Sequence, residues 1–339
     1  MSKSVLIFGA GSIGNHMAHA ARKLKLNVYV TDIKNDSLVL MKQVVYKKRY
    51  GFWDDKIKII EYKNVFNLKN YFDLIIIGTP PQSHIKTFFK IKKKLKFNKI
   101  LIEKPLTNFK NNLKIFADNK YSIRNKVFIG YNHSISESFL FFIELLKKKN
   151  KSELNEINVE WKESWKKIMD AHFWLKKLNT SYISRTRHGG GALHEHSHGL
   201  HILILLLKVF KIKIKKIKKN IFYNKKLKYD ESVNLDFIED NILINYNTNL
   251  ISYKIKKKVM VSGNNFNISW INNFKKNCDA VIFSDKNITK TYKFKKTRSS
   301  EFQNEIKYLL NIKKKDVVKS NLNISHGIEV MNLINKILL

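Results

Sequence analysis

The stretch Val5 to Asp32, VLIFGAGSIGNHMAHAARKLKLNVYVTD, decides the first half of the fold. Val5 to Phe8 is an apolar run short enough for a buried strand. It breaks into Gly9, Gly11 and Gly14, after which Ile13, Met17, Ala20, Ala21 and Leu24 recur at helical spacing. Strand, tight turn and helix follow from that order. The glycines allow the turn, leave backbone bare where a pyrophosphate would lie, and let the helix approach the strand with its N-terminus facing phosphate. Asn27 to Thr31 reads as the next strand and ends on Asp32. A carboxylate there can accept hydrogen bonds from the adenosine ribose and would repel a 2′-phosphate, so NAD is favoured over NADP. Gly9, Gly11, Ser12, Ile13, Gly14 and Asp32 are the candidate cofactor-binding residues.

Outward from this unit, helices are expected at Leu38 to Tyr50, Ile85 to Leu95 and near Asn108 to Asn119. Strands are expected at Lys56 to Ile60, Leu74 to Ile77, Lys99 to Ile102 and Lys126 to Ile129. Alternating strands and helices imply a parallel, doubly wound sheet. Gly78-Thr79-Pro80-Pro81 and Glu103-Lys104-Pro105 then stand at its carboxyl edge, where ligands bind in open α/β sheets. Beyond about Ile135 the pattern changes. A helix is expected over Ile135 to Lys149 and a strand over Glu156 to Trp161. Period-two runs follow at Val233 to Phe237, Ile242 to Tyr246, Ile251 to Ile255 and Phe266 to Trp270, with turns at Asn247 to Asn249 and Gly263 to Asn265. That is an antiparallel sheet with one covered face. Helices at Glu301 to Ile312 and His326 to Leu338 finish the chain. The expected division is 1–130 and 131–339.

The chain carries a formal net charge of +38 over 339 residues, but six of its basic residues are arginine and 59 are lysine. Arginine is the better reader of phosphates and bases, so the lysine excess reads as solvated surface, and nucleic acid is not expected as a partner. The single cysteine, Cys278, excludes an internal disulfide. The apolar run Ile202 to Leu207 is too short to span a bilayer. A cytoplasmic protein without membrane attachment is expected.

A second constellation lies in Arg187-His188-Gly189-Gly190-Gly191-Ala192-Leu193-His194-Glu195-His196-Ser197-His198. On one helix, Glu195 and His198 would share a face, and a carboxylate beside an imidazole is what a general base requires. His194, Glu195 and His198 also match H-E-x-x-H, the pattern of zinc hydrolases. A third ligand at the matching spacing is missing, and a hydrolase would leave the dinucleotide turn unexplained. No metal is expected.

Together, GAGSIG, Asp32, GTPPQSH at 78–84, EKP at 103–105, GYNH at 130–133, and GGG followed by an acid and a histidine resemble the Gfo/Idh/MocA oxidoreductases, over most of the chain. The chain departs from that pattern in having Glu195 where Asp is usual, and His198 three residues later where four is common. The resemblance implies an α/β protein with an N-terminal Rossmann domain and a C-terminal α+β domain built on a large, mostly antiparallel open sheet. It implies an NAD-dependent oxidoreductase acting on a secondary hydroxyl of a sugar, inositol or nucleotide-sugar derivative. Lys104, Glu195 and His198 match the family's catalytic lysine, acid and histidine. Thr79, Pro80, His84 and Glu103 fall nearer the nicotinamide. Tyr131, Asn132, His133, Trp165, His172, Trp174 and Arg187 flank these stretches and suit a hydroxylated substrate. A non-catalytic cofactor-binding regulator shares the fold and is the alternative, and self-association through the C-terminal sheet is compatible with the sequence.

Overall fold

The computed structural model describes residues 2–110, 113, 116, 125–175, 177–239 and 241–339. Two compact units divide the chain: residues 1–132 with 298–328, and residues 133–297 with 329–339.

In the first unit six parallel strands, β1 (Ser4–Phe8), β2 (Asn27–Thr31), β3 (Ile57–Ile59), β4 (Tyr71–Ile77), β5 (Lys96–Ile102) and β6 (Val127–Ile129), stand in the order β3-β2-β1-β4-β5-β6. β1 pairs with β2 on one side and β4 on the other, in parallel register. The strand order reverses at β1, which opens a crevice at the carboxyl ends of β1 and β4. Strand cores such as Leu6, Ile7, Ile75, Ile76 and Leu101 are fully buried, as a sheet covered on both faces requires. The helix expected at Leu38 to Tyr50 starts earlier. It runs Asn35–Leu40, loosens into a π turn over Met41–Val45 and resumes as Tyr46–Tyr50. The helix after β4 starts at Pro81, four residues before its expected start, because Pro81 at its first position has no N–H to lose. The expected helix near Asn108 to Asn119 lies for the most part outside the described residues.

The helix Arg298–Asn311 returns to the first unit and packs on the helix Ser12–Lys23. Buried Lys99 secures its end, donating from Nζ to the carbonyls of Leu309 (2.5 Å) and Ile312 (2.9 Å). A lysine near a helix C-terminus satisfies carbonyls that have no intrahelical donor.

The second unit carries β7 (Leu154–Ser164), β8 (Lys216–Asn224), β9 (Tyr229–Glu239), β10 (Ile242–Asn249), β11 (Ile251–Gly263), β12 (Phe266–Lys275), β13 (Cys278–Asp285) and β14 (Thr289–Lys295). Their order is β14-β13-β12-β11-β7-β10-β9-β8, antiparallel throughout except for β7 beside β10. The alternation holds along β9 and β10, where Val233, Leu235, Phe237, Ile244 and Tyr246 are buried. Gly263 and Phe266 are register partners around a two-residue Asn264-Asn265 turn. The turn expected at Asn247 to Asn249 does not form a hairpin. β10 continues through Asn249, with the Thr248 hydroxyl donating to the Trp161 carbonyl (2.8 Å), and β11 pairs with β7 instead. Ile251, Tyr253 and Ile255 are exposed, because the β11–β7 register breaks between Ile251 and Lys256. Among the described residues no helix is long and apolar enough to cross a membrane.

Candidate active site

The turn after β1 depends on contacts that only bare backbone can make. A Cβ on Gly14 would fall on the Gly9 carbonyl oxygen, so the first helical turn lies directly over the end of the strand. Gly9 has φ +106°, and a Cβ there would come 2.6 Å from the Gly78 carbonyl oxygen at the end of β4. Gly11 is different: a Cβ there would meet nothing within 4 Å. Its bare face looks onto open space at the N-terminus of a 12-residue helix, which fits the phosphates of a dinucleotide. Asn15 holds the turn from below, donating to the carbonyls of Ala10 and Gly11. Asp32 accepts from Ala10 N–H through one oxygen (2.8 Å) and from Lys34 N–H through the other (2.9 Å). The ribose-binding candidate therefore also ties β2 to the turn, a second task that motif spacing does not reveal.

At the carboxyl edge of the same sheet, the sequence-predicted set separates. Thr79 is half-buried and Pro80 exposed, just beyond the end of β4. His84 is buried, with Nε2 2.6 Å from the Thr79 carbonyl and Nδ1 3.1 and 3.2 Å from the carbonyls of Pro105 and Leu106. It ties the two edge loops together, and burial pushes its pKa down to about 4. Glu103 is also buried. Its carboxylate lies against Gly130, where a Cβ would meet its oxygens at 2.8–2.9 Å, and it accepts from Lys104 N–H (3.3 Å). Burial raises the Glu103 pKa to about 7, and Glu305, buried on the returning helix, is held well above its usual range by burial and then by the charge of Glu103. Lys104 itself is half-buried at the strand end.

In the second unit the chain corrects one expectation. Glu195 and His198 do not share a continuous helix. A short helix, Ala192–Glu195, ends at His196 (φ −96°, ψ 23°), and a new one, Ser197–Val209, begins. The H-E-x-x-H arrangement needs two imidazoles on one unbroken helical face, and this break removes it. Among the described residues no three His, Cys, Asp or Glu side chains gather to hold a metal. The break sorts the histidines. His194, His196 and His201 are buried, whereas Glu195 and His198 keep solvent access. His196 Nδ1 lies 2.9 Å from the Thr248 hydroxyl; since that hydroxyl donates to Trp161, the ring nitrogen is the donor. His198 packs its ring against His133 (centroids 4.6 Å) and Trp161 (6.0 Å).

Asp230, on β9, is the residue that sequence reasoning missed. Fully buried, it accepts from Leu193 N–H (2.8 Å) and the Thr186 hydroxyl (2.9 Å), and so caps the short helix that ends in Glu195. Gly191 (φ +89°) faces this carboxylate so closely that any Cβ would collide with it, and a Cβ on Gly190 would collide with the Ile183 carbonyl. These contacts account for two glycines of the GGG run. In the sequence Asp230 stands three residues before the period-two run that opens at Val233, and no motif marks it.

The predicted substrate residues divide in the same way. Trp165 donates from Nε1 to the Tyr229 hydroxyl (2.7 Å) and packs with Ile168, Ile183 and Leu250, as core. Tyr131 is fully buried and Asn132 nearly so. His133 is buried beside His198, with Asn272 Nδ2 3.5 Å from its Nδ1. His172 lies 2.7 Å from the Ile168 carbonyl and packs edge-on to half-buried Trp174. Arg187 is exposed.

No protein-family model matches the sequence, and a sequence comparison with curated proteins finds no match. Solved structures match over the whole chain. KijD10, a 3-ketoreductase from Actinomadura kijaniata crystallised with NADP and TDP-benzene, is 10% identical with a TM-score of 0.70, covering 99% of this chain and 96% of that one. Levoglucosan dehydrogenase in complex with NADH is 11% identical with a TM-score of 0.73, covering 100% and 96%. The aldose-aldose oxidoreductase of Caulobacter crescentus, complexed with glycerol, is 12% identical with a TM-score of 0.73, covering 100% and 97%. The chain has the fold of these oxidoreductases, a parallel dinucleotide-type sheet followed by a large, mostly antiparallel one.

Two outcomes follow from this geometry. Gly14→Ala will lower the thermal midpoint sharply, whereas Gly11→Ala will leave it within about 2 °C of wild type yet weaken ADP binding measured by calorimetry. His194 is fully buried, and burial pushes its pKa to about 4 against the opposing pull of the Gly190 backbone. A neutral imidazole in the fold and a protonated one in the unfolded chain make its contribution complete above pH 6.5 and lost as pH falls toward 4. His194→Leu will therefore reduce the drop in urea-unfolding stability between pH 7 and 4.5 by about 1–3 kcal/mol.

Proposed function

We propose that this chain is an NAD-dependent oxidoreductase that interconverts a secondary hydroxyl and a ketone on a sugar, a cyclic polyol or a nucleotide-linked sugar. The observation that carries the catalytic assignment is the sorting of the histidines. Of the four between residues 194 and 201, His198 alone is solvent-accessible, and it is accompanied by the one accessible acid, Glu195. The fold shared with sugar-handling oxidoreductases supports the substrate class.

Removing the hydroxyl proton needs a base, and the oxygen needs a cation to offset its developing negative charge. His198 is assigned as the base, Glu195 as the carboxylate that stabilises its imidazolium, and Lys104 as the cation. Gly9, Gly11, Ser12, Ile13 and Gly14 would hold the dinucleotide phosphates and Asp32 the adenosine ribose, with Thr79 and Pro80 at the crevice edge. The dinucleotide, when bound, supplies the hydride acceptor or donor. His133, Trp174, His172 and Arg187 remain as substrate-side candidates. Buried Tyr131, and Trp165 half-buried against the core of the second unit, support the substrate segment. A cytoplasmic setting, with NAD available and Cys278 reduced, suits this chemistry. Exposed Leu243, Ile251, Tyr253 and Ile255 on the second sheet support self-association there.

Lys104→Ala and His198→Ala are each expected to lower kcat by about 10²- to 10⁴-fold with NAD affinity nearly unchanged, measured as NADH formation across a panel of sugars and nucleotide sugars. If the two serve one oxygen, the double variant will lose less than the product of the single losses. Full activity in both single variants would overturn the roles given to Lys104 and His198, and a wild type that binds NADH but turns over no member of the panel would make the chain a cofactor-binding regulator. Asp32→Ser is expected to narrow the preference for NADH over NADPH in fluorescence titrations, and equal affinity of the wild type for both would refute the ribose assignment.

A further inference from the structure

We propose that Arg49 belongs to the phosphate-binding apparatus of the first unit, as a positioning residue that holds Ser12 and brings a fixed positive charge to the diphosphate of a bound dinucleotide. The inference rests on the dinucleotide reading above and extends it to a segment that no motif covers.

Ser12 is the first helical residue after Gly11. Arg49 straddles it, donating from Nη1 to the Ser12 carbonyl (3.0 Å) and from Nη2 to the Ser12 hydroxyl (2.9 Å). Two parallel donors in a rigid plane are a property of guanidinium, and lysine cannot reproduce them. In a chain with 59 lysines and six arginines, arginine here is not the compositional default. The fork is held in place by its own segment. Neighbouring Tyr50 places its hydroxyl 2.6 Å from His16 Nδ1 and stacks flat on His19 (centroids 3.6 Å, 1°), which fastens the end of the Tyr46–Tyr50 helix onto the helix Ser12–Lys23.

A second guanidinium stands in the same region. Arg298 lies over the Phe302 ring (4.6 Å), and Phe302 stacks on His16 (5.1 Å). Arg298 also pairs with Glu301 (3.3 Å). Burial, and to a smaller extent the Arg298 charge, hold the Arg49 guanidinium below its ordinary range. The first turn of the helix Ser12–Lys23 contains no acid. A diphosphate over Gly11 and Ser12 would meet helix N–H groups and Arg49 together.

The test uses ADP and adenosine as probes, with the full-length protein and isothermal calorimetry, and follows NADH binding by fluorescence. Arg49→Met is expected to weaken ADP and NADH by about 10- to 100-fold while changing adenosine less than about twofold. Arg49→Lys keeps the charge but loses the fork, and should recover only part of the ADP affinity. Ser12→Ala removes one acceptor and should cost less than Arg49→Met. The ADP loss should shrink at high salt, which a packing defect would not do. Unchanged ADP affinity in Arg49→Met, or equal losses for ADP and adenosine in a variant with wild-type circular dichroism, overturns the inference. If Arg49→Met does not fold, full ADP affinity in Arg49→Lys and Ser12→Ala together would overturn it. A wild-type protein that binds neither ADP nor NADH refutes the dinucleotide reading itself.

Discussion

The first unit depends on one close approach of backbone to backbone. Gly14 lies on the Gly9 carbonyl, and Gly9 lies on the carbonyl of Gly78 at the end of the neighbouring strand. No other residue type fits at either contact, because a single methyl would occupy the space of an oxygen atom. The contact draws the helix N-terminus into the crevice where β1 and β4 end, and leaves Gly11 facing outward. Asp32, Asn15 and Arg49 then fasten the turn from three sides, each through backbone groups of residues 10–12. The turn is thus fixed by hydrogen bonds from the protein's own side chains and backbone.

The second unit solves a related problem with a buried charge. Asp230 is removed from water, and burial raises its pKa to about 6, yet its oxygens are taken up by helix N–H groups and a threonine hydroxyl. Gly191 is bare so that the chain can close on that carboxylate, and Gly190 so that it can pass the Ile183 carbonyl. The consequence reaches the histidines: a capped, four-residue helix that stops at His196 turns His194 and His196 inward and leaves Glu195 and His198 accessible. A continuous helix would present a different set of side chains to solvent. Burial also separates the ring nitrogens by role, since His84 and His196 use theirs to tie backbone and side chains together.

Charge divides in the same way between surface and interior. Most lysines are solvated, where isolated ion pairs contribute little. Two basic residues carry structure instead: Lys99 closes the end of the returning helix, and Arg49 grips Ser12. The net charge alone pointed toward nucleic acid. The scarcity of arginine argues against that partner, and one of the six arginines, Arg49, stands at the glycine turn.

What the sequence by itself determined were features written in local spacing. The strand, glycine turn, helix and acid between Val5 and Asp32, and the period-two strands of the second sheet, each follow from a few neighbouring residues whose burial leaves one conformation. Proline at the start of a helix and a two-residue Asn-Asn turn belong to the same class, although the position of Pro81 shifted the helix start. Only the tertiary structure decided contacts between residues far apart in the chain. The return of Arg298–Asn311 to the first unit, the grip of Arg49 on Ser12, the cap from Asp230 and the burial of His84, Glu103 and Tyr131 have no periodicity to announce them. The break at His196 belongs with these, because helical spacing is satisfied equally by one helix or two. Which one forms is settled by a carboxylate on a strand 34 residues later in the chain, Asp230, which accepts from the Leu193 N–H of the short helix.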